Sequence, residues 1–103
     1  MALTKRNLAK MQAGAGEAAA ILRSLGNERR LLILCTLIGN GECSAGELAD
    51  AVGLSPSAAS QHLARMREDG LLESRREAQS VLYRIADPNL ESLVKLLKDL
   101  YCP

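Results

Sequence analysis

Capped helical stripes over most of the chain, and one alternating segment near its end, predict a mainly α domain with a small β-hairpin. Two observations carry this. Apolar residues recur at three- and four-residue spacing in successive segments, most opened by a capping residue and several closed by glycine. Later, Val81, Tyr83 and Ile85 alternate with Leu82 and Arg84, the period of a strand rather than of a helix.

The first helix is drawn by Leu8, Met11, Ala15, Ala18, Leu22 and Leu25, which share one face. Gly14 and Gly16 weaken its first half, Gly26 stops it, and residues 1–6 are expected to be disordered. Asn27 caps a second helix from about Glu28 to Ile38, apolar nearly all round and therefore central; Gly39-Asn40-Gly41 breaks it. Ser44 and Glu47 form a capping box for a third helix with an apolar face of Ala45, Leu48, Ala49 and Val52, ended by Gly53. Ser55 caps, and Pro56 opens, a fourth helix to about Asp69, stopped by Gly70.

Two helices joined by a short Gly-containing turn have the layout of a helix-turn-helix, over 44–69. Leu71 to Arg76 and Ser80 to Ala86, separated by Glu77-Ala78-Gln79, make the hairpin, a wing over 71–86. Asp87 and Pro88 open a last helix over 88–101, striped by Leu90, Leu93, Val94, Leu97 and Leu100. The expected architecture is one winged helix-turn-helix domain over 1–103, without repeat or linker.

Composition narrows the partners. The 103 residues are 48% hydrophobic but hold only Tyr83 and Tyr101 as aromatics, too few for stacking single-stranded bases. Net charge is +1, which leaves a local basic patch as the means of meeting a duplex. The longest apolar run, Leu31 to Ile38, is far short of a membrane span, and Lys5, Arg6 and Lys10 precede no apolar signal core. A cytoplasmic location, no membrane partner and no cofactor are expected.

The fourth helix is the candidate DNA reader. At its helical period Ala59, Leu63 and Met66 fall together toward the core, while Ser57, Gln61 and Ala64 fall opposite, flanked by Ser60 and Arg65. Small side chains let a helix sit deep in the major groove, and Gln can bond adenine bidentately. Ser55, Ser57, Ser60, Gln61, His62 and Arg65 are the candidate contacts on this helix, with Arg75, Arg76 and Gln79 on the hairpin for phosphate or the minor groove. An ordinary solvated face is the alternative for a Ser- and Gln-bearing helix; the capped helix before it and the hairpin after it argue for DNA. Glu73 and Glu77 compete for the hairpin cations Arg75, Arg76 and Arg84.

The stretch Ser44-Ala-Gly-Glu-Leu-Ala, continuing through Leu54-Ser-Pro-Ser-Ala-Ala-Ser-Gln-His-Leu-Ala-Arg-Met-Arg-Glu-Asp-Gly-Leu-Leu, resembles the ArsR/SmtB family of bacterial repressors. The resemblance covers about residues 16 to 103. It implies a winged-helix homodimer joined through its first and last helices and bound to double-stranded operator DNA. The apolar stripes of those two helices exceed what one small monomer buries.

Many members of that family sense metals through a Cys box at the start of the third helix, where this chain has Ser44 and Gly46. Others use Asp and His on the last helix, which here has no His; the single His is His62. No metal site is expected. Ile33-Leu34-Cys35 and Leu100-Tyr101-Cys102-Pro103 instead resemble the dithiol of the persulfide- and redox-sensing branch. That resemblance implies that Cys35 and Cys102 are bridged by reactive sulfur species or oxidants, with a change in DNA affinity. Taken alone, Cys35 reads as a small buried hydrophobe and Cys102 as a tail residue. Cys43 is expected to be an exposed bystander.

Three rivals stay open on sequence. They are a metal or metalloid sensor using Cys35, Cys43 and Cys102, a thiol sulfur-transfer enzyme, and a dimerisation module without DNA. Gly14-Ala-Gly16-Glu-Ala-Ala19 fits a dinucleotide fingerprint as a string, but no strand precedes it.

Overall fold

The computed structural model describes residues 4–102. Five helices and three short strands follow in the order α1 (Lys5–Leu25), α2 (Glu28–Asn40), β1 (Cys43–Ser44), α3 (Ala45–Val52), α4 (Pro56–Glu68), β2 (Leu72–Glu77), β3 (Ser80–Ile85) and α5 (Pro88–Tyr101). This is the winged helix-turn-helix arrangement, mostly helical with a small antiparallel sheet.

The core forms around α2, whose Ile33, Leu34 and Leu37 are buried. Leu48 and Val52 of α3, Leu63 and Met66 of α4, Leu71 and Leu72 at the start of the wing, and Leu90 and Val94 of α5 close over it. Burying each large aliphatic side chain contributes about 1.5–3 kcal/mol, so this cluster holds α3 and α4 in their mutual pose. Thr36, on the outer side of α2, turns its hydroxyl back to the Leu32 carbonyl at 2.8 Å.

The caps operate as their residue types dictate. Ser44 Oγ accepts from the Glu47 N–H at 3.2 Å, and Glu47 Oε1 accepts from the Ser44 N–H at 3.0 Å. Gly53 ends α3 in the left-handed region at φ +69°, a conformation that leaves room for the sharp turn into α4. Ser55 and Asp87 cap α4 and α5, each followed by Pro at the first helical position.

Four features differ from the expectation. Of the segment 1–6, residues 1–3 lie outside the described residues, but Lys5 and Arg6 are already helical. The reason is a cap at Thr4, whose Oγ1 accepts from the Asn7 N–H at 3.1 Å. The α2 helix runs through Gly39 to Asn40, and the stop is Gly41 at φ +84°. β1 adds a strand, giving the sheet order β1-β3-β2, with Cys43 opposite Tyr83 and Ser44 opposite Leu82. Finally, Cys43 is no exposed bystander. Its position on β1 turns it inward to zero exposure, where its sulfur accepts from Asn40 Nδ2 at 3.6 Å.

The hairpin pairs Leu72 with Ile85 through Glu77 with Ser80, leaving Ala78 and Gln79 as the turn. Ala78 holds φ +54°, a left-handed conformation that suits Gly better than Ala. The molecule is elongated, 53 × 28 × 20 Å. Along α1, only Ala19, Ile21, Ser24 and Leu25 are shielded, so most of the helix lies open. Leu8, Met11 and Leu22 of α1 and Leu96, Leu100 and Tyr101 of α5 are exposed. Among the described residues no helix is long and apolar enough to cross a membrane.

Candidate nucleic-acid interface and thiol pair

The face of α4 opposite the core is built by its own period. Ala59, Leu63 and Met66 are fully buried, while Ser57, Ser60, Gln61, Ala64 and Arg65 are exposed and His62 is half-buried at the flank. Ser55 accepts from the Ala58 N–H at 3.1 Å as the cap, which leaves its O–H free to donate at the helix start. The six sequence-selected residues of α4 and its cap therefore run from the N-cap Ser55 to Arg65 in the last turn, outside the buried stripe of the helix.

Beside this face runs a groove of about 580 Å³ between α4 and the start of α2. Asn27, Arg30, Gln61, His62, Arg65 and Glu68 line it. Sequence reasoning missed Arg30. Its guanidinium reaches the Ser24 carbonyl and Asp69 Oδ2, each at 3.4 Å, and so ties the end of α1 to the end of α4. Arg29 is likewise engaged, donating to the Val52 carbonyl at 2.9 Å. Nothing in a helical stripe marks such cross-element bonds; they exist only once α2 and α4 have packed.

The wing arginines divide. Arg75 is held by Glu42 and Glu77, and Arg84 by Glu73. Arg76 forms no ion pair among the described residues, and with exposed Gln79 it is the unencumbered polar group of the wing. The Arg75 pairing holds the Glu42 carboxyl below its ordinary range, and the Glu47 carboxyl is held down by the Ser44 backbone N–H it accepts.

At the other side of α2, Cys35 is half-buried and Cys102, at the end of α5, is exposed; both are free thiols. Burial pushes the Cys35 thiol above its ordinary range, a charge on Cys102 pushes it further, and the Lys98 ammonium pulls it back. The packing of α5 over α2 brings together the two helices that end in or carry these thiols, despite their separation in the chain. Pro103 of the sequence pattern lies outside the described residues. Among the described residues no group of three His, Cys, Asp or Glu side chains is placed to hold a metal ion.

Comparison with known proteins adds the following. The family model described as bacterial regulatory protein, arsR family, matches residues 27–74. The HTH-type transcriptional regulator YgaV of Escherichia coli K12 is 51% identical over 96 residues, 93% of this chain and 97% of that protein. The transcriptional activator HlyU of Vibrio cholerae is 46% identical over 96 residues, 93% of this chain and 88% of that protein. The structure of reduced HlyU from that organism superposes with a TM-score of 0.84 at 45% identity, covering 91% of this chain and 98% of the other. The structure of the transcriptional repressor BigR from Xylella fastidiosa superposes with a TM-score of 0.81 at 34% identity, covering 98% and 99%.

Proposed function

Since the chain belongs to the bacterial ArsR family of winged-helix, DNA-binding transcriptional regulators, we propose that it is an operator-binding homodimer, acting as a repressor, whose DNA affinity is set by the redox state of Cys35 and Cys102. The observation that carries the switch is that α5, capped at its end by Cys102, packs over α2, the helix that holds half-buried Cys35. A covalent bridge between them would bear on the helix that the core is built around.

The dimer rests on apolar residues that a lone protomer leaves in water. Leu8, Met11 and Leu22 on α1 and Leu96, Leu100 and Tyr101 on α5 offer a self-complementary surface to a second copy. Two α4 helices related by a two-fold axis then enter successive major grooves about 34 Å apart. Gln61, with Ser57, Ser60, His62 and Arg65, meets base edges and nearby phosphates. Ser55 at the helix start, and Arg76 and Gln79 on the wing, meet backbone or minor groove, while Arg75 stays engaged by Glu42 and Glu77.

The chemistry follows from the two thiols' surroundings. Cys102, exposed, attacks first. Its thiolate displaces HS⁻ from a hydrodisulfide HS–SH and becomes a persulfide, Cys102–S–SH. The Cys35 thiolate then attacks the Cys102 sulfur, forms Cys35–S–S–Cys102 and releases the second HS⁻. Two thiols are oxidised and one S–S bond of the donor is reduced to two sulfides. The repressor name of BigR supports the reading as a repressor, whereas HlyU is named an activator, so regulation on this scaffold runs in either direction.

A coupling of about 1–3 kcal/mol between bridge and operator is enough to weaken binding roughly 5- to 150-fold. The test is a titration of a duplex selected from a random pool by the reduced protein, before and after inorganic disulfide, for wild type, Cys35→Ser and Cys102→Ser. Loss of affinity in wild type alone supports the switch; equal affinity of reduced and bridged wild type overturns it.

A further inference from the structure

The first turn of α2 is bonded to the ends of three other helices, and contact with bases explains none of these bonds. Arg29 donates from Nη1 to the Val52 carbonyl, where α3 ends, at 2.9 Å. The side chain of its neighbour Arg30 is only 12% exposed. A single nitrogen of Arg30, Nη1, reaches the Ser24 carbonyl in the last turn of α1 and Asp69 Oδ2, both at 3.4 Å. Asp69 is the C-cap of α4, and among the described residues Arg30 is its ion-pair partner. A carboxylate at that end of a helix opposes the helix dipole, and the guanidinium offsets the opposition. Little else holds this flank. Between α4 and the start of α2 lies the groove of about 580 Å³, so no side-chain packing fills the space into which α4 could lean. On its other sides α4 packs against α3 and β2, and α1 packs chiefly on α2. Ser24–Arg30–Asp69 is the direct polar link from α1 to α4.

We infer that Arg30 is a positioning residue for operator recognition. By fastening the end of α4 to the end of α1, it fixes how far apart, and at what rotation, the two reading helices of a dimer stand, and so which half-site spacing the protein accepts. The inference rests on the operator-bound dimer proposed above and deepens it. In a two-fold dimer joined through α1 and α5, any lean of α4 relative to α1 is doubled across the axis. The α4 helix has 13 residues and is about 20 Å long, so play at Asp69 becomes a tilt of the whole reading face. One base pair added between half-sites shifts them by about 3.4 Å and rotates them by about a tenth of a turn. A tether that limits the lean is therefore read out as discrimination between spacings. Arg30 needs no contact with DNA for this, since its charge is already met by Asp69.

The test uses the full-length reduced protein and the duplex selected from a random pool, remade with one or two base pairs inserted or removed between its half-sites. Affinity for each is measured by titration, with a scrambled duplex as the non-specific reference, and the melting temperature of each variant is recorded. Wild type is expected to prefer the selected spacing. Arg30→Met should lose roughly 3- to 10-fold of that preference through weaker binding to the selected spacing, while binding to altered spacings and to scrambled DNA stays near the wild-type level. Asp69→Asn changes an exposed side chain and keeps the Ser24 bond; it should move the preference in the same direction, and it carries the test if Arg30→Met does not fold. The two changes together should lose no more than Arg30→Met alone, because they remove one shared tie. A merely stabilising role would lower the melting temperature and weaken every duplex alike, which overturns the inference, as does an unchanged preference in either folded variant. If wild type itself shows no preference for spacing, the two-fold operator reading fails and takes the inference with it. If wild type prefers one spacing and the variants keep that preference, only the role of Arg30 falls.

Discussion

Arg75 grips Glu42 through two hydrogen bonds, 2.8 Å from Nε and 2.9 Å from Nη2, and so fastens the wing to the loop that precedes α3. The pairing decides which wing cation is free. Arg76→Ala should flatten the dependence of DNA affinity on salt by about 0.9 in log–log slope, the loss of one phosphate contact. Arg75→Ala should change it less, because that guanidinium is already neutralised. Glu42→Gln, which releases Arg75, should steepen the slope. Binding titrations over a salt series check all three, and an equal loss from both arginine variants would count against the division.

The same ion pair gives a pH dependence with a definite sign. The Glu42 carboxyl is held below its ordinary value of 4.5. Its contribution to folding is therefore complete above that value and is lost as pH falls through the lower value of the folded protein. Melting curves of wild type and Glu42→Gln should lie apart at neutral pH and converge in acid. A gap that widened on acidification would reverse the assignment.

Ala78 at φ +54° gives a substitution that should stabilise the protein. Relief of left-handed strain is worth about 1–2 kcal/mol, and the extra freedom of Gly in the unfolded chain returns about 0.4–1 kcal/mol of it. Ala78→Gly should raise stability by roughly 0.5–1 kcal/mol in denaturant unfolding, with no change of core residues.

The three cysteines should separate by reactivity under native conditions. Cys102 reacts first, Cys35 more slowly, and Cys43, at zero exposure, only on unfolding. Cys43→Ser places a hydroxyl in the core and should cost about 1–3 kcal/mol, whereas Cys102→Ser should cost little. Differential alkylation followed by peptide mass mapping distinguishes the sites.

A charge on the outer stripe of α5 should separate the protomers. Leu100→Glu alters a residue that is 63% exposed in the single chain, so monomer folding should survive while the oligomer is lost. Sedimentation gives the mass. A dimer of undiminished stability would place the interface elsewhere.

Much of the fold was legible because its signals are local. Ser44 with Glu47, Ser55 with Pro56 and Asp87 with Pro88 announce helix starts within a few residues, and the inward stripe of α4 follows from its period alone. What escaped was non-local or too short. β1 has two residues, too few for an alternation to register, and Cys43 turns inward only because Tyr83 pairs with it. The cap at Thr4 was hidden by a polar, glycine-bearing helix whose outer half packs on nothing in the protomer. The exposed face of α4 could be read from the chain, but the Arg75–Glu42 lock and the Arg30 tie appear only after distant segments have packed.

The pairing of Cys43 with Tyr83 has a kinetic consequence. Helices and the β2–β3 hairpin close on near neighbours, but this contact must wait for a long loop to shut, and that loop contains both α3 and α4. The reading helix is thus encircled rather than appended. Its orientation becomes final only when this long-range contact forms, and weakening the two-residue strand at the sheet edge would loosen the aim of α4.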